Sequence, residues 1–343
     1  MRADVVHARR ALRWSKGGGG PEELDDIGQV IDHRRSGAGD DVGWVNIRQD
    51  EVEGLSALAP QLHLDDQAVE DLAARRERPK LDVGPDVAVL ITRGVEFDPT
   101  SGTLTSHPVS AVVSDGVLIT VINDAAILAE FTKRVKRQRT TVTAGHLLYE
   151  LLDQVVDGYA DVEEQIADTV DAVAELVFDD QPLSRQDQRR AFQLRRSLTR
   201  LRRFVMPMVD IATTLTNAAR SDPDTMKETS WMVGQLLPET ARGFADIADH
   251  ALHVAEGLDG LRDTMGGLMD TNLSLADVRL NTVMKKLASW AAVIAVPTFI
   301  TGFMGMNVPY PGFDSVWGVI GSVSLIVASV SWLIWFFHKR DWL

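Results

Sequence analysis

The sequence predicts an α/β domain at the N-terminus, then long α-helices forming a stalk or funnel, then two C-terminal membrane-crossing helices. Three observations predict it. Two apolar runs, each long enough for a ~30 Å hydrocarbon core, lie together at the C-terminus. A helical pattern from Glu239 to Asn281 runs straight into the first of them. Before residue 135, short β-patterned stretches alternate with short helices.

Residues 1–35 read as a basic, Gly-rich leader, disordered around Gly17 to Gly20, without an apolar run long enough for a signal peptide. Residues 36–135 read as the α/β domain. Gly43 to Ile47 is a strand, Glu51 to Leu62 a helix whose first acidic residues complement its dipole, and Asp65 to Arg75 a second short helix. Strands follow at Val87 to Thr92, Val109 to Val113 and Val117 to Ile122, with Ser114-Asp115-Gly116 as the hairpin turn of the last pair.

Residues 136–286 are expected as long helices. Val142 to Phe178 repeats apolar residues at threes and fours (Leu147, Leu151, Val155, Val162, Ile166, Val170) with acids elsewhere. After a turn at Asp179 to Pro182, Ser184 to Ala219 returns as a helix carrying Arg185, Arg189, Arg190, Arg195, Arg196, Arg200, Arg202 and Arg203. The simplest reading makes the two complementary antiparallel partners, with anionic lipid or RNA as the alternative for the arginines. The next helix holds Gly243, Gly257, Gly260, Gly266 and Gly267, each costing roughly 1 kcal/mol against alanine, so neighbours must hold it straight. That points to an oligomer of such helices around an axis.

The first span is assigned to residues 287–307, the loop to 308–315, the second span to 316–337 and a basic tail to 338–343. Lys285 and Lys286 precede the first span, His338, Lys339 and Arg340 follow the second, and the link has no Lys or Arg. Both termini are therefore expected on the cytoplasmic side, with Tyr310 and Trp317 at the outer interface and Trp335 and Trp342 at the inner one. Small residues of the second span, Gly318 and Gly321 among them, suit close packing against another helix.

Composition narrows the chemistry. The net charge of −14, from 35 basic and 49 acidic residues, disfavours nucleic acid and suits divalent cations, although ordinary solubility explains it equally. Without cysteine there are no disulfides, thiolate metal sites or cysteine nucleophiles. No Lys-Ser/Thr follows the glycine run, and there is no serine elbow or His-Glu-x-x-His, so no enzyme is read here. His250 and His253 stand three apart on the stalk and raise a zinc pair, which two ligands alone do not complete.

The first span ends at Gly305-Met306-Asn307. One reading is a helix C-cap with Gly and Asn in their favoured roles. The other places a ring of asparagine amides at the mouth of an oligomer. Neutral amide oxygens can hold a hydrated Mg²⁺ through its waters, where carboxylates would bind tighter and slow release. The tripeptide is expected by chance only on the order of 0.01 times in a chain of this composition, which favours the ring.

This hairpin, with Gly-Met-Asn after the first span and "HKRDWL" at its end, resembles the CorA family of magnesium transport channels. The segments "GWVNI", "LHLDDQAVEDLAARRERPKLD", "QLRRSLTRLRRFVMPMVDI", "FADIADHALHVAEGLDGLRD" and "NTVMKKL" resemble family segments in order and spacing. The resemblance implies a homopentamer in the cell's inner (plasma) membrane, with Mg²⁺ as both transported and regulatory ion and no organic cofactor. Carried over by position, it implies a selectivity filter at Gly305, Met306 and Asn307 and a pore face of Asn281, Met284, Leu287, Ala291, Ala295, Thr298 and Gly302. Met284 and Leu287 would form an apolar gate closing by dewetting. It further implies a regulatory metal between Asp71 and Asp246 of adjacent copies, ion attraction by Asp270, and a basic collar of Lys285, Lys286, Lys339 and Arg340. Two departures stand out: Ala295 where family pores often carry a bulkier residue, and a loop "VPYPGFDS" whose only acid is Asp314. The rival readings are a Zn²⁺, Co²⁺ or Ni²⁺ transporter on the same scaffold, with or without proton coupling, and a membrane-anchored scaffold or sensor that conducts nothing.

Overall fold

The run VGWVNI is buried along its whole length, because it lies inside a seven-stranded sheet covered on both faces. In this computed structural model the strands are β1 (Arg10–Trp14), β2 (Glu22–Leu24), β3 (Val42–Ile47), β4 (Lys80–Val83), β5 (Val87–Asp98), β6 (Thr103–Ser114) and β7 (Val117–Ile122). The helices are α1 (Asp66–Ala73), α2 (Ala125–Lys136), α3 (Ala144–Phe178), α4 (Arg185–Arg220), α5 (Thr240–Met304) and α6 (Val316–Lys339). The described residues are 10–15, 20–24, 41–52, 59, 64, 66–73, 78–84, 86–114, 116–138, 142–179, 181–220, 236, 240–306, 312, 315–340 and 342. The chain divides into two units, Met1–Leu176 with Leu183–Gly266, and Val177–Pro182 with Gly267–Leu343.

In the first unit the strand order is β2-β1-β3-β7-β6-β5-β4, with β3 parallel to β7 and the other pairs antiparallel. Alternation assigns the two faces of β3. Val45 and Ile47 join Val69 and Leu72 of α1 in one apolar core with Val89, Ile91, Val112 and Ile119. Trp44 points the other way, edge-on to Phe131 of α2 at 5.0 Å between centroids. The β3–β7 junction also buries a polar row. Trp44 Nε1 donates to Thr120 Oγ1 (3.0 Å), and Asn46 Oδ1 accepts from Thr120 Oγ1 (2.9 Å) and Ile122 N (3.0 Å). Each member finds a partner, so the row fixes register without leaving a dry polar atom.

Two stretches of the expected disordered leader are ordered strands. Ala11, Leu12 and Trp14 are buried, β1 pairs with β3, and Arg13 bonds Glu22 of β2 at 2.6 Å. Five residues with three buried side chains are enough to add a strand to an edge that β3 leaves open. The sheet therefore begins before residue 36, and no boundary falls at 135, since α2, α3, α4 and the start of α5 belong to the same unit. Strands β5 and β6 are longer than expected. Strand β6 continues through Pro108, which lies beyond the stretch paired with β7, where β6 has one neighbour and a missing N–H is tolerated. Their turn is closed by Asp98, which accepts from Thr100 N (2.9 Å) and Ser101 Oγ (2.6 Å), bonds that lower its pKa. Of the expected helix Glu51 to Leu62, residues 53–58 and 60–62 lie outside the described residues.

Helix α4 opens on a serine N-cap: Ser184 Oγ accepts from Asp187 N (3.1 Å) and donates to Asp187 Oδ2 (2.6 Å). It runs beside α3, for Thr92 of β5 touches both Tyr159 Oη and Met208 Sδ at 3.3 Å. Burial pushes the Tyr159 hydroxyl up to about 12, and it donates to the Arg93 carbonyl at 2.7 Å. The expected pairing of acidic α3 with arginine-rich α4 does not occur: among the described residues no ion pair joins them. Arg190 and Arg200 bind the Pro99 and Leu104 carbonyls, and Arg202 bonds Asp259 of α5 at 2.7 Å. The acids Asp153 and Asp157 share Arg134 of α2 instead, at 2.6 Å each. Burial, then repulsion from Asp157, still raises the Asp153 pKa.

Helix α5 runs unbroken for 65 residues, about 100 Å. Glycines at two of its positions have a packing reason. A Cβ at Gly243 would lie 2.6 Å from the Tyr149 ring, and one at Gly257 2.5 Å from Glu163 Oε1. In the second unit, α5 and α6 are both long and apolar enough to cross a membrane.

Candidate functional site

Past residue 270, α5 turns one narrow face to cover. Ser289 and Val293 are buried, Ala292, Val296, Pro297 and Ile300 partly so, and Arg279 on the same side donates to the Asp179 carbonyl at 2.8 Å. The expected pore residues Asn281, Met284, Leu287, Ala291, Ala295, Thr298 and Gly302 are all exposed, and helical spacing puts them on the opposite side. Asp270 continues this face downward and is exposed too. So does Asp277, seven residues from both Asp270 and Met284, which the sequence reading missed. The heptad step from Met284 was the signal that could have found it.

Hydroxyls along this stretch are turned onto their own helix. Thr298 Oγ1 donates to the Ile294 carbonyl (2.8 Å) and Thr301 Oγ1 to the Pro297 carbonyl (3.0 Å). The face therefore offers side chains of low polarity between Asn281 and the helix end. That end is orderly: Gly305 N donates to the Thr301 carbonyl (2.9 Å) and Met306 N to the Phe303 carbonyl (3.2 Å). Gly305 and Met306 are exposed, and Gly305 is not among the positive-φ glycines. Asn307, the third residue of the expected filter, lies outside the described residues, as does most of the loop that follows.

Four basic residues were expected to form a collar. Lys285 and Lys286 are exposed, and helical spacing puts them on either flank of the line through Ser289, away from the expected pore face. At the end of α6, Lys339 Nζ lies 5.2 Å from the Trp335 ring centroid, and the Arg340 guanidinium 5.2 Å from that of Phe336. Both cations sit over aromatic faces, as expected of charges that anchor a helix end at a membrane surface.

The expected regulatory acids belong to the first unit. Asp246 on α5 is exposed, with His250 Nε2 3.8 Å away one turn on. Asp71 on α1 is partly buried and already has a cation: Lys80 Nζ of β4 stands 2.6 Å from its Oδ2 and 3.1 Å from Asp82. The hydrogen bond to Asp71 raises the Lys80 pKa against the opposing effect of burial. The sequence reading missed this pair because it joins a helix to a strand through a partner nine residues away. His250 and His253 line a cleft of about 680 Å³ with Asp157, Glu163 and Asp249. Burial and then the charge of Glu164 raise the Glu163 pKa, with His253 opposing. Among the described residues no group of three His, Asp or Glu side chains is placed to hold a metal ion.

The profile of CorA-like Mg²⁺ transporter proteins matches residues 39–339. The cobalt/magnesium transport protein CorA of Thermotoga maritima is 27% identical over 311 residues, 88% of this chain and 83% of the relative. The divalent cation transporter CmaX of Pseudomonas aeruginosa is 26% identical over 307 residues, 88% and 87%. The solved CorA magnesium transporter of Methanocaldococcus jannaschii superposes with a TM-score of 0.77 at 19% identity, over 97% of this chain and 98% of that one. With a continuous helix, two membrane-length apolar helices and this match over most of its length, the chain belongs to the CorA family of divalent-cation transporters, a family of membrane transport proteins and not of enzymes.

Proposed function

We propose that the chain is a Mg²⁺ uptake channel of the inner (plasma) membrane, assembled as a homopentamer with both termini cytoplasmic and closed by cytoplasmic Mg²⁺. The observation that carries this reading is the uncovered face of α5, which presents Asn281, Met284, Leu287, Ala291, Ala295, Thr298 and Gly302 at helical spacing and leads to Gly305 and Met306. Around an axis, that face becomes the lining of a pore. Asn307 amides hold the hydrated ion by its waters, so the ion enters without the cost of stripping its shell. Asp270 and Asp277 form acidic rings at the lower end, and Met284 with Leu287 forms the apolar constriction that empties of water when the helices close.

Regulation follows from two carboxylates on neighbouring copies. Asp71 and Asp246 repel when unoccupied and are bridged by Mg²⁺, so falling cytoplasmic Mg²⁺ loosens that contact and biases the pore toward opening. Lys80 competes with the ion for Asp71, which makes the bridge weaker than two free carboxylates would give.

A second reading, transport of Zn²⁺, Co²⁺ or Ni²⁺ on the same scaffold, is favoured by the loop, whose only acid is Asp314. The name of the Thermotoga relative, which includes cobalt, leans the same way. Flux into proteoliposomes, with Mg²⁺, Co²⁺, Ni²⁺ and Zn²⁺ compared and a pH gradient imposed or removed, separates the two. Mg²⁺ flux independent of the gradient is expected; no divalent flux at all would leave only a non-conducting scaffold. Neutralising Asp71 and Asp246 should give flux that persists at cytoplasmic Mg²⁺ levels that silence the unmodified channel.

A further inference from the structure

Helices α3 and α4 each carry a row of charges with no ion-pair partner among the described residues. On α3 the exposed carboxylates Asp161, Glu164, Asp168, Asp171 and Glu175 follow one another at steps of three and four, opposite the buried row Val162, Ile166, Val170 and Val173. On α4 the exposed Arg185, Arg189, Phe192, Arg196 and Arg203 follow at steps of four, three, four and seven, opposite Leu194, Leu198, Leu201 and Val205. Among the described residues none of these carboxylates and none of these guanidinium groups takes part in an ion pair. Arg190, Arg200 and Arg202, which face the rest of the protomer, are satisfied there.

Two shallow grooves, of about 440 and 420 Å³, flank Phe192, which is 67% exposed, and both are walled by these arginines. Neither encloses a small ligand in the way binding pockets do. Arginine set around an exposed aromatic ring is instead the composition of a protein interface. A long polyanion is repelled by the rest of a chain of net charge −14, so the partner must meet this face locally. The acidic row on α3 has that form. It spans about 21 Å, against about 27 Å for the arginine row, at 1.5 Å per residue.

We propose that the arginine row of one copy receives the acidic row of the next, forming a charged seam between neighbouring copies. The inference rests on the self-assembly proposed above and names a surface for it. The contact joins two different faces, so each added copy leaves one row open until a ring closes. Within a protomer the Tyr159–Thr92–Met208 contact fixes the relative height of the two helices. In a ring whose axis lies along them, Glu164 then comes level with Arg203 of the neighbouring copy, Asp171 with Arg196 and Glu175 with Arg189, each within about one turn.

The absence of cysteine makes the test direct. One chain carrying Asp171→Cys and a differently tagged chain carrying Arg196→Cys are co-expressed, purified as the assembled membrane protein and treated with a short bismaleimide. The expected result is a covalent dimer bearing both tags, formed at least tenfold more than with either substitution alone. Arg196→Glu with Arg203→Glu should lower the assembled fraction at low salt, and adding Glu164→Arg with Asp171→Arg should restore it. A mass measurement separates the two ways of failing. A monomeric unmodified protein overturns the assembly and the seam together. An oligomer without the two-tag product, with charge reversal leaving assembly unchanged, overturns the seam alone; so does loss of binding of a polyglutamate peptide or ATP on charge reversal without that product, which would give the face to another occupant.

Discussion

In the first unit Trp44, Asn46 and Thr120 are fully or almost fully buried and bonded to one another, and Arg134 is held between two carboxylates. In the second, Phe299 is 75% exposed and Trp317 80%, with Leu287, Trp290 and Ile294 also bare. The first unit buries its own core within one protomer; the second leaves its apolar surface bare. A soluble surface rarely leaves so much contiguous apolar area open, and helices that are apolar all round are the ones a bilayer solvates. The difference teaches where substitutions should act: in the first unit on folding, in the second on transport.

Trp44→Ala is the largest expected effect. It removes a buried indole packed on Phe131 and leaves Thr120 and Asn46 with an unfilled cavity, a cost of about 3–5 kcal/mol. Denaturant unfolding of the full chain in detergent should register it, while flux per folded channel stays unchanged. Retained stability would mean that the sheet's second face is not the core it looks like. Asn307→Ala should do the reverse: unaltered unfolding, but Mg²⁺ flux roughly tenfold lower or selectivity among divalent ions lost, as expected for loss of hydrogen bonds worth about 1.5 kcal/mol to a charged group. Smaller again, Leu287→Ser wets the constriction without touching the covered face of α5. Flux at closing Mg²⁺ concentrations should rise about threefold, with stability within about 0.5 kcal/mol.

What the sequence made legible divides along the same line. The spans and the long helix that runs into the first of them were readable because run length and helical period are local properties, whereas the residues expected on the pore face came from the family resemblance. The parallel β3–β7 pair and strands β1 and β2 were not, since pairing depends on partners far away in the chain and five-residue strands carry little pattern of their own. The charges of α3 and α4 misled for a different reason. Their opposite signs suggested a pair, but both rows lie opposite their helices' buried faces, and sign alone carries no direction. The Gly-Met-Asn motif was legible as a run of residue types, of which Gly305 and Met306 are among the described residues.

The last prediction concerns Asp71, where a bond made within the first unit meets a proposed regulatory task. Its carboxylate is 17% exposed and bonded to Lys80, which is 31% exposed and also touches Asp82. A divalent ion bridging Asp71 to Asp246 of another copy must displace that ammonium. For a partly exposed pair the displacement costs about 0.2–1 kcal/mol, a factor of roughly 1.5–5 in affinity. Lys80→Met should therefore lower the cytoplasmic Mg²⁺ concentration for half-closure about 1.5- to fivefold, whereas Lys80→Arg, which keeps the charge, should move it little. Combining Lys80→Met with Asp71→Asn should abolish the shift, because the freed carboxylate is then gone. If Lys80→Met leaves the closing concentration unchanged while Asp246→Asn raises it, the ion is held without Asp71. The Asp71–Lys80 pair would then be a brace between α1 and β4, a part of the complete protomer and not of the sensor.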